Sequence, residues 1–444
     1  MERATSTGHR CHVGLPTIPP WRLSVIASRQ SFYGSVLQVL LIVVIMISSP
    51  CFAQPSPNGK LMLFGGAERD NNQLLWEEFV RVCGGKGAKV AIFPTASTYP
   101  ERTGSLFHKH MTDLGLDPFI VPLGEKWPGC DVAAMVQDAS LVSRIEKADA
   151  VFLAGGEQLR YRRAFVNEQG ETPMLRAIRS VYQRGGAIAG TSAGTAVMSR
   201  IMFIDAEKIL PVLVNGAHMG KQVDHGLGLL PHDWFVDQHF LTRGRFGRTL
   251  VAMQTYDFAM GLGIDEDSAI VLDHEKKLKV MGYRGAVIVD ARQATRDSSE
   301  PRFHWKGLRL SFLSHGDEFD LSTMQSIPGP DKRDEDRIDP RSKTFKPYYL
   351  LKQFYNDIFA NTQLLDLMYK LVDSPHNEAI GLAFDGESAR KGNTPGFEFR
   401  FYRGEDTVSW DAPVAKGDPN TVLNVYLDIR PMEVIGPLYS ISKE

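Results

Sequence analysis

Four short apolar runs constrain this chain most: Leu61–Phe64, Val90–Phe93, Ala150–Ala154 and Ala187–Ala189. None carries a charge, and stretches with helical spacing stand between them, at Trp76–Val82, Ser105–Leu114, Ser140–Lys147 and Met174–Gln183. A strand that is apolar on both faces must be covered on both faces, and strands alternating with helices build parallel βαβ units. The pattern, with a further strand at Pro118–Pro122, predicts an α/β fold with a doubly wound, mostly parallel sheet over residues 60 to about 290. In such sheets ligands bind beyond the carboxyl ends of the strands. Gly65-Gly66, Pro94-Thr95-Ala96-Ser97 and Gly155-Gly156 fall at those ends.

Composition bounds the rest. The 444 residues are 43% hydrophobic and 23% charged, which excludes a disordered or fibrous chain. At about 100–200 residues per domain, two domains are expected. A formal net charge of -2 gives no basic field for nucleic acid. Four cysteines (Cys11, Cys51, Cys83, Cys130) with no CxxC pair exclude a disulfide framework and a zinc motif, and leave pairing of Cys83 with Cys130 open. Residues 30–59 contain no charge and follow Arg3, Arg10, Arg22 and Arg29. The apolar run Val36–Ile47 is short for a membrane span of about 20 residues and suits a signal peptide, residues 1–53, cleaved after Ala53. An uncleaved anchor is the alternative. The predicted location is therefore secreted or periplasmic, with no stable membrane span once the signal is removed. Residues 54–321 read as the α/β domain. Ser326–Lys346 reads as a linker or long loop, Pro347–Val372 as helical, and Phe397–Phe401 and Val422–Leu427 as strands. Residues 322–444 are thus expected to form a small C-terminal α+β extension.

The strongest chemical signal is Gly190-Thr191-Ser192-Ala193-Gly194, directly after a buried strand and before a helix-forming run. This is the setting of a nucleophile elbow, where small residues allow the sharp turn that exposes the serine hydroxyl. The plain alternative is a Gly-Ser turn capping a helix. The Ala193 N–H, with one from Gly155 or Gly156, would stabilise an oxyanion. A serine nucleophile needs a base and a group that orients the base. His239 follows the apolar Trp234-Phe235-Val236 and precedes Arg243, Arg245 and Arg248, whose guanidinium groups suit substrate carboxylates. Without the histidine these arginines would read as a solvated helix face. Asp265, Glu266 and Asp267 offer three adjacent carboxylates as the orienting group, or an acidic turn. The order serine, histidine, acid argues against the α/β-hydrolase fold.

Leu153-Ala154-Gly155-Gly156-Glu157-Gln158, Gly190–Gly194, Asp237-Gln238-His239-Phe240 with its three arginines, and Gly263-Ile264-Asp265-Glu266 together resemble the cyanophycinase family, peptidase family S51. These are serine peptidases related to peptidase E (aspartyl dipeptidase), with a class I glutamine amidotransferase-like fold. The resemblance implies Ser192 as nucleophile, His239 as base and Glu266 as orienting acid. It implies Gln158, Asp237, Gln238, Arg243, Arg245 and Arg248 as substrate-binding residues, and no metal or organic cofactor. The implied substrate is cyanophycin, a poly-aspartate backbone with arginine on each side-chain carboxyl, cut to β-Asp-Arg dipeptides. Other β-aspartyl or acidic peptides are the nearest alternative, and a non-catalytic binding protein of this fold a further one. An amidotransferase-like enzyme is disfavoured, because Ser192 stands where those enzymes use cysteine. The family pattern has Asp where this chain has Glu157. A homodimer is compatible with the resemblance.

Overall fold

The four apolar runs become neighbouring strands of a sheet in a computed structural model of the chain, which describes residues 58–205, 208–275, 277–411, 420–440 and 442. The expected signal peptide lies outside the described residues. Among the described residues no helix is long and apolar enough to cross a membrane. Cys83 and Cys130 are both free thiols.

The strands Asp117–Ile120, Lys89–Phe93, Ala150–Leu153, Ala187–Thr191 and Lys60–Phe64 lie side by side in that order, all parallel. Their apolar side chains are buried on both faces, under the helices Gln73–Cys83 and Pro100–Asp113 and the helices Ala139–Glu146 and Pro173–Gln183. Each helix begins where its sequence can satisfy the free N–H groups: Asn72, Asp138 and Thr172 accept from the residue three further on, and Pro100 and Pro173 open their helices. Beyond Lys60–Phe64 the sheet continues antiparallel through Ser268–Leu272, Lys277–Gly282, Glu318–Asp320 and Gln325–Ile327. The α/β class therefore holds, with the parallel part confined to one side of the sheet.

A second sheet starts with the parallel pair Trp234–Gln238 and Met260–Ile264. It runs on antiparallel through Ala286–Asp290, Trp305–Leu313, Thr421–Val434, Thr394–Trp410 and Glu378–Phe384 to the two-residue strand Phe354–Tyr355. The segment expected as a small C-terminal extension supplies half of this sheet, and the described residues from 58 on belong to one compact unit. Its core joins Phe240, Phe246 and Leu250 to Phe399, Phe401, Val425 and Leu427. The expected helix over Pro347–Val372 is confined to Gln363–Val372. Upstream, Tyr348, Leu350, Leu351 and Phe354 are exposed, and Phe354–Tyr355 pairs as an edge strand instead. Tertiary pairing overrides local spacing there.

Asp317 ties the segment after the first sheet to the second. Its fully buried carboxylate accepts from the backbone N–H of Ser314 at 2.8 Å and Gly329 at 2.7 Å, and from Lys332 Nζ at 2.7 Å. The Thr421 hydroxyl donates to it as well. Asp317→Ala leaves the buried Lys332 ammonium without its counter-charge, holding only the His315 carbonyl, and leaves two N–H groups unpaired. The expected cost is about 3–5 kcal/mol of unfolding free energy, read from the urea midpoint at unchanged slope. A shift under about 0.5 kcal/mol, the scale of an ordinary surface substitution, would show that the network carries no stability.

Candidate active site

Ser192 sits at the carboxyl end of Ala187–Thr191 with φ 51° and ψ -111°, a conformation that costs a non-glycine residue about 1–3 kcal/mol. The surrounding packing holds it there. A Cβ on Gly190 would lie 2.4 Å from the Gly194 carbonyl oxygen, and one on Gly194 would lie 2.0 Å from that of Leu153. Only glycine lets the chain turn this tightly into the short helix Ala193–Ala196. The Thr195 hydroxyl donates to the Phe64 carbonyl at 2.7 Å and fixes the turn to the neighbouring strand.

His239 and Glu266 come from the second sheet, where their two strands run in register and end together. Ser192 Oγ lies 3.0 Å from His239 Nε2, and His239 Nδ1 lies 2.7 Å from Glu266 Oε1. A carboxylate only accepts, so Nδ1 carries the ring proton and Nε2 is left to accept from the serine hydroxyl. Such a chain can move a proton from hydroxyl to imidazole while a nearby carboxylate supports the resulting charge. Burial pushes the His239 imidazole below its ordinary value. The Glu266 hydrogen bond opposes this, and the Arg243 and Arg245 charges add to it.

The two sheets meet through the turn after Lys60–Phe64. Gly65 N–H donates to Ser268 O, the Gly65 carbonyl accepts from His239 N–H, and the Gly66 carbonyl accepts from Asp267 N–H, each at 2.9 Å. Gly66 has φ +103°, and a Cβ there would be 2.4 Å from the His239 ring. Ala67, Ser192, His239 and Asp267 all have positive φ, so backbone strain gathers at this junction.

The three adjacent carboxylates separate by partner. Asp265 accepts from Thr242 N–H at 3.0 Å and from its hydroxyl at 3.2 Å. Asp267 accepts from Asn72 Nδ2 at 2.8 Å and from Arg69. Only Glu266 reaches the histidine.

Sequence reasoning missed Glu68. Its carboxylate accepts from the Thr191 hydroxyl at 2.7 Å and from Gly66 N–H at 2.9 Å, and burial pushes it above the ordinary range despite those donors. The signal available was the repeated Gly-Gly strand end, Gly65-Gly66 beside Gly155-Gly156. Gly155 flanks the serine, with a built Cβ 3.4 Å from Ser192 Cβ. Among the described residues the N–H groups of Gly155, Gly156 and Ala193 donate to no other group.

The expected substrate-binding residues divide. Arg248 and Asp237 form a buried two-point ion pair, both contacts at 2.7 Å, and the Arg248 guanidinium lies 4.6 Å from the Phe203 ring centre. Arg245 donates to the Gln238 carbonyl at 2.7 Å and lies 3.6 Å from Asp237. Burial pushes the Asp237 carboxyl up, but the two arginines more than reverse this and hold it below the ordinary range. Gln158 donates its amide to the Phe203 carbonyl. Gln238 is buried, with Oε1 lacking a hydrogen-bond partner among the described residues. Arg243 is exposed, and among the described residues no carboxylate pairs with it.

Arg243→Ala removes a positive charge that disfavours the imidazolium, so the His239 pKa must rise. A histidine-labelled NMR titration should show His239 titrating below the ordinary imidazole value in the parent and at higher pH in the variant. An unchanged midpoint would show that the Arg243 charge does not reach the ring.

The model of peptidase family S51 matches residues 61–280. The cyanophycinase of Synechococcus elongatus is 31% identical over 290 residues, covering 63% of this chain and 84% of that protein. That of Geminocystis herdmanii is 30% identical over 281 residues, covering 61% and 96%. That of Nostoc sp. PCC 7120 is 31% identical over 285 residues, covering 60% and 87%.

Proposed function

The chain belongs to peptidase family S51, a family of serine-type peptidases, and from that premise we propose that it is an exported exopeptidase that cuts cyanophycin into β-Asp-Arg dipeptides. The observation that carries the reading is the contact chain Ser192–His239–Glu266, in which one hydrogen bond crosses from the first sheet to the second and the other orients the imidazole.

In this reading Ser192 Oγ attacks the scissile carbonyl as its proton passes to His239 Nε2. Glu266 holds the Nδ1 proton in place and supports the imidazolium. The N–H groups of Ala193 and of Gly155 or Gly156 bind the oxyanion. The tetrahedral intermediate collapses to an acyl-enzyme as His239 returns the proton to the leaving amine. Water, deprotonated by His239, attacks the acyl carbonyl, and Ser192 leaves as the hydroxyl. Burial lowers the imidazole pKa, which extends toward lower pH the range in which His239 is neutral and able to accept.

Arg243 is the guanidinium open to a substrate carboxylate, and the free Gln238 Oε1 is an acceptor for a substrate amine or guanidinium. Asp237, Arg245, Arg248 and Gln158 shape that pocket from below, because their own polar atoms are already engaged. The basic segment before the uncharged residues 30–59 supports export through a cleaved residue 1–53 signal.

Incubation of the purified protein with insoluble cyanophycin should release β-Asp-Arg. Ser192→Ala should reduce the rate by on the order of 10⁴- to 10⁶-fold, and adding His239→Ala should cost little more, because the two side chains act as one device. Release of β-aspartyl dipeptides from other peptides but none from cyanophycin would move the substrate to the alternative class. An equal rate in Ser192→Ala would remove the mechanism.

A further inference from the structure

The residues after 350 do more than complete a sheet: they reach the arginine turn that follows His239. A Cβ on Gly244, whose φ is +60°, would lie 2.1 Å from the Phe359 carbonyl oxygen, and one on Gly247 would lie 2.5 Å from the Phe359 ring. The glycines of Arg243-Gly244-Arg245-Phe246-Gly247 therefore leave the space that the C-terminal segment fills. Beside this contact is a cavity of about 560 Å³, within the 300–1,000 Å³ common for ligand sites. One wall carries Arg243. The other is built from the C-terminal segment and carries Asp357, Arg390, Phe359, Phe384 and Tyr439.

The chemistry of this lining is specific. Arg243 lies close enough for its charge to act on His239 and among the described residues has no carboxylate partner. Asp357 uses one oxygen to accept from Phe359 N–H at 3.1 Å and leaves the other open among the described residues. Arg390 lies 5.7 Å from the Tyr439 ring centre and makes an exposed 3.4 Å contact with Glu387, the weak kind of pair that exchanges readily. Two cations, one anion and aromatic faces complement a unit that itself carries a carboxylate and a guanidinium. An arginyl-aspartate repeat is such a unit.

We infer that the cavity between Arg243 and the C-terminal segment is a binding subsite for an arginyl-aspartate repeat beyond the two that flank the scissile bond, with carboxylate held by Arg243 and Arg390 and guanidinium by Asp357 against the aromatic faces. The inference rests on the reading of the active site above. The subsite makes the C-terminal segment a determinant of chain-length preference.

The test compares the β-Asp-Arg dimer with the tetramer as substrates for the full-length parent, Asp357→Asn and Arg390→Gln. The parent should favour the tetramer. Each variant should lose about tenfold in kcat/KM on the tetramer, mostly through KM, the scale of one charge-assisted hydrogen bond, with no change on the dimer. Unchanged tetramer kinetics, or equal losses on both substrates, would overturn the subsite and leave the proposed function standing. No turnover of either substrate by the parent would overturn both.

Discussion

The turn at Gly65-Gly66 is the constraint on which this structure depends. One backbone hydrogen bond to Ser268 continues the first sheet, and two more, from His239 and Asp267, clamp this end of it to the segments that follow the strand ends of the second. The clamp works because neither residue has a side chain. A Cβ on Gly65 would be 1.8 Å from the Asp265 carbonyl oxygen, and one on Gly66 would enter the His239 ring. The serine belongs to one sheet and the histidine to the other, and their 3.0 Å separation is set by this backbone contact rather than by a flexible side chain. The positive φ of His239 is held by this contact, and that of Ser192 by the packing around Gly190 and Gly194.

Charge is sorted around that junction by burial. Of the acidic groups near His239, Asp237 is neutralised by Arg248 and Arg245, Asp267 by Arg69, and Asp265 is satisfied by Thr242. Glu266 alone points at the imidazole. Arg243 is exposed, and it influences the ring without being paired to a carboxylate among the described residues. A buried ion pair such as Asp237–Arg248 adds little net stability over an apolar pair, but removing one partner is costly. It therefore acts as a rigid floor.

Much of this was legible in the sequence. The four apolar runs gave the parallel strands, and the Gly-x-Ser-x-Gly pentapeptide after a strand gave the elbow, because both depend on short-range rules of patterning and turn sterics. The partner of His239 was not legible bottom-up, since three consecutive carboxylates differ only in where the turn points them. Neither was the engagement of Arg245 and Arg248: residues that look solvated in one dimension are buried in three, Arg248 against the Phe203 ring and both beside Asp237. Glu68 was invisible because its partner Thr191 is 123 residues away. The expected helix from Pro347 failed at its start for the same reason, since pairing with Glu378–Phe384 decides the backbone near Phe354.

The sharing of the second sheet also fixes what the histidine depends on. The strands that carry His239 and Glu266 stand far in sequence from Thr394–Trp410 and Thr421–Val434, whose side chains close the core behind Phe240 and Phe246. Thr421–Val434 covers the edge of Trp305–Leu313, and Thr394–Trp410 pairs beyond it. The foundation under His239 therefore rests on pairings between strands far apart in the chain, so a lesion in Thr394–Trp410 or Thr421–Val434 reaches the histidine through the core rather than through any direct contact.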